Sequence, residues 1–135
     1  VLVYAHRGDT PEHEQVGAWL EDAVNQSASF GLSTHVLSGM VRIVTHPQVF
    51  DPPTPIETAV EFVESLRARP NCVEVTPGLR HWGIFADLCR ATGAVGNLVP
   101  DAYFAALAIE SGSEWITTDR GFARYSGLRW RHPIP

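Results

Sequence analysis

The strongest constraint on this 135-residue chain is its periodicity. Apolar residues recur at helical spacing in several segments, and short β-prone runs separate them. Val16, Trp19, Leu20, Ala23 and Val24 form one stripe. Thr10-Pro11 before it predicts a capped start with proline in the first turn. Ser33 is placed to cap a second helix, with Val36, Leu37, Met40, Val41 and Val44 on one face and Pro47 just beyond its end. Thr54-Pro55 repeats the cap-and-proline signal ahead of Ile56, Ala59, Val60, Val63 and Leu66. A fourth helix is predicted from about residue 78 to 92, with Trp82, Phe85 and Leu88 turned inward. A fifth runs from Pro100 through Ile109 and stops at Gly112. Residues 1–5, 71–75, 115–117 and 128–130 read as strands, and residues 25–29 with Gly31 as a loop. Strands alternating with helices predict an α/β fold with a mostly parallel sheet and helices on its faces. No repeat or long linker divides the chain, so a single domain over residues 1–135 is expected.

Composition narrows the class. With 44% apolar and 19% charged residues, the chain has the makeup of a globular domain rather than a disordered one. Cys72 and Cys89 are too few for a disulfide framework and lack zinc-ligand spacing, which fits a reducing cytoplasm. No apolar run approaches the roughly 18 residues of a membrane span. The net charge of −5 argues against a general basic footprint for nucleic acid, but the charge is unevenly placed. Residues 1–119 hold six Arg and all fifteen acids, whereas residues 120–135 hold four Arg and no acid.

In open α/β sheets, ligands sit beyond the carboxyl ends of the strands. Asp119 follows Trp115-Ile116-Thr117-Thr118 and so stands at such an end. Asp101 follows Pro100 and stands in the first turn of a predicted helix. Taken singly, Asp101 could serve only the helix dipole and Asp119 only a turn. No phosphate-binding loop or nucleotide-cofactor fingerprint occurs: Gly93-x-x-Gly96 lacks the Lys-Ser/Thr pair.

The neighbours of these acids resemble a known family. Asn97-Leu98-Val99-Pro100-Asp101-Ala102 and Thr117-Thr118-Asp119-Arg120-Gly121-Phe122 look like signatures of the PIN domain, a small α/β nuclease fold, and most of all its VapC-type toxins. Val1-Leu2-Val3-Tyr4-Ala5 resembles the end of the family's first strand, and the segment from Leu37 to Pro47 its second helix. Gly127-Leu128-Arg129-Trp130 also fits, so the likeness spans nearly the whole chain in the family's order. It implies a three-layer fold with a central sheet of about four to five strands, and a metal-dependent endoribonuclease toxin of a toxin–antitoxin pair. Asp101 matches the family's third acid and Asp119 its fourth, as catalytic residues and metal ligands. Thr117 matches a hydroxyl residue placed by the metal, and Asn97 is a supporting residue. The implied cofactor is Mg²⁺, with Mn²⁺ as a substitute. The implied partners are a VapB-type antitoxin, an RNA substrate and a second copy in a homodimer.

The chain also departs from the pattern. By alignment the family's first acid falls three residues before Val1, so a start lacking a few N-terminal residues is expected. Its second acid, a Glu, corresponds to Thr34, beside His35, and no acid occurs between Phe30 and Phe50. A further acid two residues after the fourth is replaced by Gly121. Two of four carboxylates predict weak metal binding and slow cleavage for the chain as it stands. The alternative is a non-cleaving PIN-like module that binds RNA or an antitoxin. In the Arg-rich tail, Arg120 and Arg124 are the expected phosphate contacts, interleaved with Phe122, Tyr125 and Trp130 as candidate base-stacking aromatics.

Overall fold

The computed structural model describes residues 1–135, in two compact units. The first comprises Val1–Glu74 with Ile134, the second Val75–Pro133 with Pro135. No helix is long and apolar enough to cross a membrane.

The first unit opens with α1 (Leu2–His6), where a strand was expected. Five apolar residues carry no period that separates strand from helix. Here the Ala5 amide donates to the Val1 carbonyl at 3.0 Å and the Arg7 amide to the Val3 carbonyl at 2.8 Å. Leu2 and Val3 then pack on the unit's core. Helix α2 (His13–Asn25) starts later than Thr10-Pro11 predicted. The Thr10 hydroxyl turns back to donate to the Arg7 carbonyl at 2.8 Å, so it caps a turn instead.

Helix α3 (Thr34–Val44) does begin at Ser33, whose Oγ accepts from the His35 amide at 3.3 Å. Its Leu37, Met40 and Val44 bury against Ala59 and Val63 of α4 (Ile56–Arg67). Thr54 does not cap α4. Its buried hydroxyl accepts from Arg7 Nη1 at 3.2 Å and lies 3.1 Å from His6 Nε2. Strand β1 (Phe30–Leu32) falls partly in the expected loop and pairs in parallel with β2 (Cys72–Glu74), Phe30 opposite Cys72. The Asn71 side-chain amide fixes this register by donating to the carbonyls of Val24, Gln26 and Ala28.

The second unit is built on α5 (His81–Thr92) and α6 (Leu98–Ser111). Ala102, Ala105 and Ala106 are fully buried, and their small side chains let Leu88 of α5, Phe122 and Tyr125 close over α6. The helices run antiparallel. The Glu110 carboxylate, near the end of α6, accepts from the Gly78 and Arg80 amides at 2.6 and 2.9 Å, just before α5 begins. His81 Nε2 lies 3.0 Å from the Tyr103 carbonyl. Trp82 is not inward: it is 72% exposed, and Phe85 takes the contact with the core. Gly112 ends α6 at φ +68°, a left-handed position that suits glycine.

Strand β3 (Trp115–Ile116) pairs in parallel with β4 (Trp130–Arg131), Trp115 opposite Trp130. The 3-10 helix Arg120–Arg124 lies between them in sequence. All strand pairing is parallel, as expected, but it forms two ladders of two strands each rather than the one central sheet of about four to five strands that was expected, because the strands are only two or three residues long.

Candidate metal and nucleic-acid site

Six of the seven candidate residues belong to the second unit. Asp101 sits in the first turn of α6, half-buried. Asp119 follows β3 and caps the 3-10 helix, its Oδ1 accepting from the Gly121 amide at 2.7 Å. Between β3 and Asp119 lies Thr117, buried, with Oγ1 accepting the Asp119 amide at 3.1 Å. That bond aims Asp119 as the chain leaves the strand.

The two carboxylates interact. Burial pushes the Asp101 carboxyl above the ordinary aspartate range, the negative charge of Asp119 adds to that, and Arg124 opposes it. Like charges held close raise a carboxyl's affinity for a proton, and they raise its affinity for a cation on the same ground. The donors here are carboxylate and hydroxyl oxygens, which suit a hard divalent ion such as Mg²⁺. Mg²⁺ commonly takes only one or two carboxylates and keeps several waters, so Asp101 and Asp119 meet that minimum. No group of three or more His, Cys, Asp and Glu side chains gathers anywhere. The set is therefore lean.

Tyr125 joins the two halves of this site. Its ring is 3% exposed, and its hydroxyl donates to the Leu98 carbonyl at 3.0 Å. Leu98 opens α6 three residues before Asp101, and Tyr125 follows the 3-10 helix that Asp119 caps. The phenol is raised by burial first, then by the Asp101 charge. Tyr125 was expected among base-stacking aromatics, as was Phe122. Both are core residues instead, their ring centroids 5.7 Å apart. The i, i+3 spacing of Phe122 and Tyr125 on a helical turn is the signal for burial that alternation with arginine masked.

The arginines divide as well. Arg124 Nε donates to the Gly121 carbonyl at 2.8 Å, which holds its guanidinium beside Asp119. Arg120 is exposed on the same 3-10 helix. Arg131 pairs with Glu114 at 3.0 Å, and Arg129 donates to the Gly112 carbonyl. Asn97 stands exposed at the cap of α6 without a side-chain capping bond. Thr34 belongs to the first unit, as the exposed first residue of α3.

Comparison with known proteins decides the family. The PIN domain model matches residues 1–128. This chain belongs to the PIN domain family. Ribonuclease VapC43 of Mycobacterium tuberculosis and a VapC ribonuclease of Mycobacterium bovis are each 44% identical over 134 residues, 99% of this chain and 91% of theirs. Ribonuclease VapC25 of M. tuberculosis is 35% identical over 133 residues, 98% of this chain and 94% of its own. Among solved structures, a crystal structure of VapBC2 from Rickettsia felis bound to a DNA fragment from their promoter shares the fold. Its TM-score is 0.65 at 17% identity, over 97% of this chain and 92% of that one.

Proposed function

We propose that this PIN-domain chain is a VapC-type endoribonuclease, the toxin of a toxin–antitoxin pair, working at Asp101 and Asp119. The observation that carries the proposal is the pairing of these two carboxylates across the start of α6 and the end of β3, with Arg124 beside them. Relatives named as VapC ribonucleases at 44% identity support the same activity here. A divalent cation, Mg²⁺ or Mn²⁺, would be held by Asp101 and Asp119, where it would activate a water and offset phosphate charge.

The chain's own residues supply positioning. Thr117 fixes Asp119 through its amide, and Tyr125 ties the segment after Asp119 to the first turn of α6. Arg124, with Arg120 exposed nearby in sequence, presents positive charge to RNA phosphate, and Asn97 is available to the same strand. A VapB-type antitoxin and a second copy of the chain are the proposed partners. The solved VapBC2 neighbour supports the first.

The test is cleavage of total RNA with Mg²⁺, with EDTA, and with Asp101→Asn or Asp119→Asn. Mg²⁺-dependent cleavage lost in both variants supports the reading. Cleavage that survives either substitution, or EDTA, overturns it. A second reading, a module that binds RNA without cutting it, draws on the lean donor set and on Thr34. Salt-sensitive RNA binding with no cleavage under any divalent ion would favour that one.

A further inference from the structure

We propose that Arg124 is a built-in counter-charge of the acid pair, held beside Asp119 so that it opposes the binding of a divalent cation by Asp101 and Asp119. The inference rests on the cation-site reading of these two carboxylates and adds the residue that limits how tightly they hold the ion.

Local structure fixes the arginine. Its Nε donates to the Gly121 carbonyl at 2.8 Å, and the Gly121 amide donates to Asp119 Oδ1 at 2.7 Å. A single residue thus holds the guanidinium through its carbonyl and the carboxylate through its amide. A β-carbon placed on Gly121 would lie 2.9 Å from Asp119 Oδ1 and 3.2 Å from Arg124 Nη2, so the two charged groups are only a few ångströms apart. The backbone beyond Arg124 is pinned as well. Tyr125 is buried, and its hydroxyl donates to the Leu98 carbonyl at 3.0 Å.

The opposite charges nonetheless do not close into an ion pair. The ion pairs of the chain use Arg7, Arg67, Arg90 and Arg131. Asp119 therefore keeps oxygen available to a cation, while Arg124 acts on the site through space. Its charge reaches Asp101 too, where it works against the rise that burial and Asp119 impose on that carboxyl. A charge that disfavours a proton at a carboxylate disfavours a cation there on the same ground. The balance of charge points the same way. Two carboxylates match one dication, but with Arg124 beside them the same ion leaves the site net positive. The acid pair is thus lean in donors and is also held back by its own neighbour.

The experiment is titration with Mn²⁺ of the unsubstituted chain, Arg124→Gln, Arg124→Met and Arg124→Lys, following the free-ion paramagnetic signal and recording a melting temperature for each. A unit charge and a dication about 6 Å apart in a water-like dielectric correspond to about a tenfold change in affinity. Arg124→Gln is therefore expected to bind Mn²⁺ about tenfold more tightly at low ionic strength, with the gain shrinking as salt is added. Arg124→Met, also neutral, gives the same answer if the Gln variant folds poorly. Arg124→Lys keeps the charge and is expected to stay close to the unsubstituted chain. Unchanged or weaker binding in both neutral variants, or a Lys variant that binds as tightly as they do, would overturn the inference while leaving the cation-site reading intact. Absence of Mn²⁺ binding in all four proteins would overturn both.

Discussion

Replacing Tyr125 by Phe removes one oxygen and leaves the ring in place. The ring stays packed on Phe122 in the core around Ala102, Ala105 and Ala106. What is lost is a single neutral hydrogen bond of 3.0 Å, from the hydroxyl to the Leu98 carbonyl. Such a bond contributes about 1 kcal/mol net. The larger penalty for an orphaned buried acceptor does not apply, because α6 gives the Leu98 carbonyl a helical amide partner four residues on. The expected loss is therefore about 1 kcal/mol, or a melting temperature lower by about 3–5 °C for a chain of this size. Urea denaturation at neutral pH measures it. The same substitution unfastens the segment after Asp119 from the first turn of α6, so divalent-ion affinity should fall along with stability. A stability loss above about 3 kcal/mol would show that the ring had repacked, since one neutral bond cannot supply it. Unchanged stability together with unchanged ion affinity would refute the role given to this tether.

Two further outcomes follow from charge. Burial and the Asp119 charge raise the Asp101 carboxyl, so the folded chain holds that proton to a higher pH than the unfolded chain does. Stability from this group declines as pH climbs through that window, and Asp101→Asn should raise the melting temperature at neutral pH but not at pH 3 while abolishing activity; a lower melting temperature at neutral pH would contradict it. Glu110 has the opposite sign: the backbone N–H of Gly78, its largest influence, with that of Arg80 holds its carboxyl below the ordinary range. Its contribution is present above the unfolded-state value and fades as pH falls through the folded one, so the protection factors of the Gly78 and Arg80 amides, corrected for the intrinsic pH dependence of exchange, should fall on acidification and in Glu110→Gln, and pH-independent protection factors would refute it.

Much of this was legible in sequence because periodicity and capping are local. Ser33 with the stripe from Val36 to Val44 located α3 to within a residue. Where local signals compete, they misled. Thr10 and Thr54 look like caps, but the Thr10 hydroxyl turns back to the Arg7 carbonyl three residues earlier, and that of Thr54 is held by Arg7 in a tertiary contact that no local pattern records. Residues 1–5 are too few to show a period, and β1 is three residues long with Gly31 at its centre, which mimics a loop. Trp82 was counted with Phe85 and Leu88, yet six residues at about 100° each carry the chain roughly 240° round the helix, away from Leu88. Asp101, Asp119 and Thr117 stand out by motif and position alone, and the fold places all three in the second unit. Tyr125 reads in sequence as a base-stacking aromatic, because the bond that ties it to Leu98 spans 27 residues and leaves no local trace.

The central claim is that Asp101 and Asp119 form one cation-binding pair. Titration of the chain with Mn²⁺, followed by the loss of the free-ion paramagnetic signal, tests it directly. The account predicts one bound ion per chain, and binding lost in both Asp101→Asn and Asp119→Asn. Retention of that ion by either variant, or its absence from the unsubstituted chain, would contradict the account.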